Sequence, residues 1–292
     1  MIQKVWLAFT GLVSILVIIF TLLLINATQL LSAILVRPFS EMAFRRYNTG
    51  CAAFIWRWCI IAVEKVQAVP IIFTGDELPQ NENAVIISNH QELTDVLFML
   101  SIAERSGRLR DLKWFGKDAL KHVPAFGWGL RFIDCVFLKR DWTKDQTSIE
   151  ATFENLYKNK IPLWLINFME GTRATPSKIK ASQAHAERTG LKPLKNLLLP
   201  RPRGFIATIR GLKEQLHAVY DVTLSSEDHP FSLKELVFGP IRPMHIHIRR
   251  YPIEALPKSD AELTAWCRTL FENKDQMIEN FKATHQFPAT HA

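Results

Sequence analysis

Residues 84–95 read AVIISNHQELTD, an apolar run that stops at Ser88, Asn89 and His90 and reaches Asp95 after four further residues. Val85, Ile86 and Ile87 are consecutive β-branched residues, the composition of an apolar strand. In α/β sheets, sites form where such strands end. Residues five apart in one continuous helix lie about 140° from each other around the axis, so His90 and Asp95 would not meet there. The spacing works if His90 stands in a strand-to-helix loop and Asp95 in the first helical turn. The carboxylate then holds one imidazole nitrogen and leaves the other free to take a proton. Such a general base, with no nucleophilic serine or cysteine assigned beside it, suits activation of a substrate hydroxyl against an already reactive acyl thioester. On this pair alone the plainer alternative stays open: a histidine that caps the helix and an aspartate in solvent.

Outward from this segment, short β-branched or aromatic runs at 70–74, 84–88, 113–115, 132–138, 163–168, 218–224 and 245–249 alternate with helical patterns at 94–105, 147–158, 204–215 and 260–283. The alternation predicts an α/β fold, a mixed sheet covered by helices. Ser259 is the expected N-cap of the last helix, with Leu263, Trp266, Leu270 and Phe271 on one face. The Pro-, Lys- and Arg-rich stretch 175–203 reads as a long irregular connection.

Residues 5–36, WLAFTGLVSILVIIFTLLLINATQLLSAILV after Val5, carry no charged side chain and exceed the roughly 20 residues that span a bilayer. They predict a transmembrane or membrane-embedded helical anchor. Asn26, Thr28 and Gln29 divide the run, so one tilted helix and two short dipping helices both remain open. Lys4 precedes the run, whereas Arg37, Arg45 and Arg46 follow it, which predicts a cytosolic catalytic domain in a bacterial inner membrane or its endoplasmic reticulum equivalent. The stretch 51–63, with Trp56, Arg57 and Trp58, reads either as an interfacial helix or as a buried one. The expected organisation is an anchor over 1–36, an amphipathic helical connection over 37–66 and an α/β domain over 67–292.

At 292 residues, 48% apolar and 22% charged, the chain can bury a full core, and its net charge of +8 favours acidic partners. No recognisable nucleic-acid module organises the basic residues, and a nucleic-acid partner is not expected. Cys51, Cys59, Cys135 and Cys267 form no CxxC pair and suggest neither a disulfide framework nor zinc. His245 and His247 alternate along one strand, but no third and fourth ligand accompanies them; with His122, His185 and His217 they read as structural, and no metal is expected.

Further motifs follow apolar runs. FLKR places Lys139 and Arg140 at a strand end, FMEGTR does the same for Glu170, Gly171, Thr172 and Arg173, and LLLPRPRG adds a proline-stiffened basic turn around Pro200. Arg173 has the planar fork that grips phosphate, with Lys139 or Arg140 adding positive charge, although a solvated basic strand end remains the alternative for those two. Gly171 allows close backbone approach, and for Glu170 the plainer alternative is pairing with Arg173 to position it.

As a set, and in this order, the segments resemble the lysophospholipid acyltransferase family, which includes the 1-acylglycerol-3-phosphate acyltransferases, over roughly 84–224. VFLKRDW, EGTRAT, LLLPRPRGF and YDVTL resemble most the lysophosphatidate and lysocardiolipin acyltransferase branch. The resemblance implies His90 as base and Asp95 as its orienting carboxylate. It implies acceptor binding by the motifs of Lys139, Arg140, Glu170, Gly171, Thr172 and Arg173, and an acyl-donor region at Pro200. Gln91 and Glu92 stand where a small residue is frequent, a departure that bears on acceptor preference.

The expected function is transfer of a fatty acyl group from an acyl thioester to the free hydroxyl of 1-acylglycerol-3-phosphate, giving phosphatidic acid. The partners are the lysophospholipid, membrane lipids and acyl-CoA as donor, with acyl carrier protein as the alternative and no bound cofactor. The rival readings are a remodelling acyltransferase for lysophosphatidylglycerol, lysophosphatidylinositol or lysocardiolipin, and a membrane lipid hydrolase, which the lack of a GxSxG elbow disfavours.

Overall fold

The computed structural model describes residues 2–139 and 141–288. Among them, seven strands form one sheet in the order β1 (Ile71–Gly75), β7 (Met244–Pro252), β6 (Ala218–Ser226), β2 (Ala84–Ser88), β5 (Trp164–Phe168), β3 (Leu112–Lys117) and β4 (Val136–Leu138). The β6–β7 pair is antiparallel and every other pairing is parallel, so the sheet is mixed, as the alternation predicts. β2 and β6 are buried along their whole length, which explains their apolar runs.

One face of the sheet carries Ile86, Trp164, Ile166 and Tyr220 and is covered by α2 (Glu41–Ile61) and α3 (Asp95–Arg105), with Leu236 of the short α8 (Leu233–Phe238) in the same core. The other carries Val85, Ile87, Leu165 and Val219 and is covered by α5 (Trp142–Lys158), α7 (Arg203–Leu212) and α9 (Asp260–Thr284). α9 opens with a reciprocal cap between Ser259 and Glu262.

α1 (Ile2–Leu35) is one unbroken helix, so Asn26, Thr28 and Gln29 do not divide the apolar run into two. Its apolar stretch Val5–Leu35 has a mean hydropathy of 2.8, and most of its large apolar side chains are exposed. At 1.5 Å per residue it is about 46 Å long, more than the roughly 30 Å of a hydrocarbon core. Asn26, Gln29 and Ser32 do not break it; they are buried on the side that packs inward. Asn26 Nδ2 donates to Ala125 O at 3.1 Å, and Asn48 Nδ2 of α2 donates to Ser32 Oγ at 3.1 Å. α2 combines both readings of residues 51–63, burying Ala53, Ile55 and Ile60 while Phe54 and Trp58 stay exposed.

Two expectations need correction. Residues 175–203 are not irregular throughout: α6 (Pro176–Arg188) occupies their first half, with Pro176 in the first turn, where its missing N–H costs nothing. This helix is polar and buries Ala186 alone, so no apolar stripe announced it. The run 132–138 is a strand only over β4, because Phe132 ends α4 (Phe126–Phe132) and Asp134 turns the chain at φ 59°.

Candidate active site

His90 lies two residues beyond β2, and Asp95 is the first residue of α3. Asp95 Oδ2 lies 3.0 Å from His90 Nδ1 and also accepts the backbone N–H groups of Gln91 at 2.7 Å and Glu92 at 2.8 Å. A carboxylate offers only acceptors, so Nδ1 carries the hydrogen and Nε2 keeps its lone pair. Among the described residues Nε2 has no protein partner. The imidazole stacks on Phe168 at 4.1 Å between ring centroids, and Phe168 faces Trp114 in turn. A short loop, a carboxylate with three donors and an aromatic floor thus fix the ring.

Glu170 does not pair with Arg173. It is fully buried, and its two oxygens accept backbone N–H groups from separate segments, His90 at 2.8 Å and Leu198 at 3.0 Å. Burial pushes this carboxyl up to about 8, against the opposing pull of those two donors. Two further backbone bonds lace the same segments: Ala174 N–H donates to His90 O at 2.8 Å, and Arg201 N–H donates to Met169 O at 2.8 Å. Glu170 therefore fastens the base's loop to the proline-stiffened turn from beneath and is not a group open to substrate.

Gly171 has φ +71°, a conformation that favours glycine, and a Cβ there would crowd the Arg201 side chain at 3.2 Å from its Cδ. Thr172 Oγ1 accepts from Lys178 Nζ at 2.7 Å. Arg173 is half exposed, and its guanidinium makes one long contact, 3.5 Å to Glu92 Oε2. Lys139 is exposed just past β4, its backbone N–H held by Asp145 Oδ1 at 2.7 Å. Arg140 lies outside the described residues. Pro200 is half-buried between Leu199, whose N–H donates to Ser182 Oγ at 3.0 Å, and Arg201. The fold thus gathers His90, Asp95, Glu170, Gly171, Arg173 and the Pro200 turn at the carboxyl ends of β2 and β5.

Sequence reasoning missed Asp145, Asn89 and Glu92 as supports. Asn89 clamps the loop to β6 by bonding both the N–H and the carbonyl of Leu224. Its place beside the histidine was the available signal. His245 and His247 share a face of β7 and pack against Phe281 and Phe287, and no three potential metal ligands converge among the described residues.

A family model described as Acyltransferase matches residues 70–221, and one described as Acyltransferase C-terminus matches residues 236–292. The chain belongs to the acyltransferase family. Similar curated proteins include 1-acyl-sn-glycerol-3-phosphate acyltransferase 2 of Brassica oleracea, 31% identical over 272 residues, covering 91% of this chain and 70% of the relative. Another is 1-acyl-sn-glycerol-3-phosphate acyltransferase delta of Homo sapiens, 32% identical over 274 residues, covering 92% and 72%. The crystal structure of the 1-acyl-sn-glycerophosphate (LPA) acyltransferase from Thermotoga maritima aligns with a TM-score of 0.58 at 16% identity, over 97% of both chains, and shares the fold. This acyltransferase is an enzyme of O-acyl transfer in phospholipid biosynthesis.

Proposed function

We propose that the chain transfers a fatty acyl group from acyl-CoA to the free hydroxyl of 1-acylglycerol-3-phosphate, giving phosphatidic acid, with His90 as general base and Asp95 as the carboxylate that orients it. The observation that carries this reading is the 3.0 Å contact between His90 Nδ1 and Asp95 Oδ2, which leaves Nε2 as the free proton acceptor. Nε2 takes the hydroxyl proton as the oxygen attacks the thioester carbonyl; the carbon–sulfur bond breaks, and the thiolate leaves and is protonated. No acyl-enzyme is required.

Arg173 and Lys139 supply cations for the acceptor's phosphate, with Arg140 continuing the same motif, and Gly171 and Thr172 give the approach to it. The Pro200 turn serves the donor side. The activity named for the relatives supports lysophosphatidate as acceptor. The anchor α1 is embedded in the bilayer, and Arg37, Arg45 and Arg46 after it favour a catalytic domain on the cytosolic side, where acyl chains and lysolipid meet at the membrane surface.

The test is an assay of purified full-length protein with labelled acyl-CoA or acyl carrier protein and a panel of lysolipids. Diacyl product from lysophosphatidate is expected, and the acceptor must be required for release of free thiol. Acylation of lysophosphatidylglycerol, lysophosphatidylinositol or lysocardiolipin in preference would assign a remodelling enzyme, and free fatty acid formed without acceptor would assign a hydrolase.

A further inference from the structure

Three cations from separate stretches of the chain meet at one turn beside the base. The turn follows β5 through Gly171, Thr172 and Arg173, and Ala174 N–H, directly after it, donates to His90 O at 2.8 Å. Lys178 reaches the turn from α6, where its Nζ donates to Thr172 Oγ1 at 2.7 Å and to Arg173 O at 3.4 Å. Arg201 reaches it from the Pro200 segment. Its backbone N–H is held by Met169 O, and its side chain crosses Gly171, with Nε and Nη1 each 3.7 Å from where a Cβ would stand. Arg173 belongs to the turn itself, and all three residues are exposed.

Little negative charge opposes them. Among the described residues Glu92 alone makes an ion pair with any of the three, the 3.5 Å contact to Arg173, and no carboxylate pairs with Lys178 or Arg201. Glu170 beneath the turn is pushed up to about 8 by burial and is mostly neutral at pH 7. Like charges gathered in this way repel one another until an anion joins them. The turn offers donors as well: Gly171 opens it at φ +71°, and among the described residues the N–H groups of Thr172 and Arg173 meet no protein acceptor. Successive N–H groups in a turn form a concavity for an anion.

We propose that Lys178 and Arg201 are acceptor-binding residues that make the site select a phosphomonoester over a phosphodiester. The proposal rests on the reading of the chain as a lysophosphatidate acyltransferase with Arg173 at the acceptor's phosphate. A phosphomonoester carries about −1.5 to −2 charges at pH 7 and presents three acceptor oxygens. A phosphodiester carries a single charge and gives one of those oxygens to its second ester. Lysophosphatidate is of the first kind, and lysophosphatidylglycerol and lysophosphatidylinositol are of the second. Lys178 adds a point charge and Arg201 a planar fork, so the rim rewards the extra charge and the extra oxygen. Although Pro200 beside it is assigned to the donor side, the Arg201 side chain leaves that turn for Gly171.

The experiment uses full-length protein in detergent–lipid micelles at saturating acyl-CoA. It compares kcat/KM for lysophosphatidate and for lysophosphatidylglycerol in the parent, Lys178→Gln and Arg201→Gln. Each replacement should lower the ratio of the two values by about tenfold, the usual scale for losing a hydrogen bond to a charged group. The KM for acyl-CoA should hold within about twofold, and Arg201→Lys should regain part of the ratio. Calorimetric binding of both lysolipids in a His90→Ala background gives a readout that needs no turnover: affinity for lysophosphatidate should fall about tenfold with either replacement, and that for lysophosphatidylglycerol should fall far less. If Lys178 and Arg201 only brace the turn, both acceptors suffer alike and the ratio stays at the parent's value, which would overturn the proposal. A loss confined to the KM for acyl-CoA would overturn it too, by moving the rim to the donor's phosphates. A parent that acylates only phosphodiester lysolipids would overturn the lysophosphatidate reading instead, and the binding measurement would still report whether the rim tells the two headgroups apart.

Discussion

Asp95 Oδ2 gathers the imidazole and two backbone N–H groups on one atom, so its exchange for an amide disturbs the loop as well as the ring. His90→Ala should lower kcat on the order of a hundred- to ten-thousand-fold, the usual cost of losing a general base. Asp95→Asn should follow with a smaller loss; steady-state kinetics on variants with wild-type circular dichroism decide this, and near-normal turnover by His90→Ala would remove the mechanism. Arg173 belongs to the same scale. Among the described residues its half-exposed guanidinium is held only by Glu92, the residue at which the first motif departs from the frequent small side chain. Arg173→Ala should raise the KM for lysophosphatidate by about tenfold or more and leave that for acyl-CoA nearly unchanged, with Arg173→Lys recovering part because a point charge does not reproduce the fork. A defect confined to acyl-CoA would move Arg173 to the donor side. His90 and Asp95 were legible because an apolar run followed by a fixed offset determines where both side chains stand. The partner of Glu170 was not: Arg173 is close in sequence, whereas the donors that hold Glu170 come from His90 and Leu198, which only the folded chain brings near.

Among the elements, all seven strands and the helices at α3, α5, α7 and α9 were foreseeable from their apolar patterns, although the run 132–138 overran β4 at its start. α6 was not, since it stands on helix-forming residues and a first-turn proline with almost nothing to bury. α1 makes the clearest prediction here. With exposed Val5, Phe9, Leu16, Phe20, Leu23 and Ile34, it should keep the protein in the membrane pellet through a carbonate wash. Release into the supernatant, scored by immunoblot, would show that the helix neither spans nor embeds.

For the whole molecule, the buried Glu170 links the site to global stability. Its carboxyl is raised from 4.5 to about 8. Between those values the folded protein holds a proton that the unfolded chain has lost, so this contribution is fully present below about pH 4.5 and declines as pH rises through 8. Thermal unfolding should show Tm falling over that window by roughly 2–4 °C for each kcal/mol lost. In Glu170→Gln that component should be absent, and an identical slope in parent and variant would place the proton elsewhere. The molecule thus gives up stability at alkaline pH to hold together the loops that follow two neighbouring strands.

α1 is keyed to the body of the protein at two heights. Near its start, Gln67 Nε2 donates to Leu7 O at 3.1 Å, and a Cβ on Gly11 would meet that same amide at 2.5 Å. Near its end, Asn26 and Ser32 make the inward bonds already described. Two keys on one shaft fix its phase, because a single residue inserted between them turns one about 100° away from the other. Adding seven would nearly restore the angle but lengthen the shaft by about 10 Å, past its lower keyhole. An insertion or deletion between Gly11 and Ser32 should therefore pull one key out of its keyhole, whereas a change of length outside Leu7–Ser32 leaves both in place.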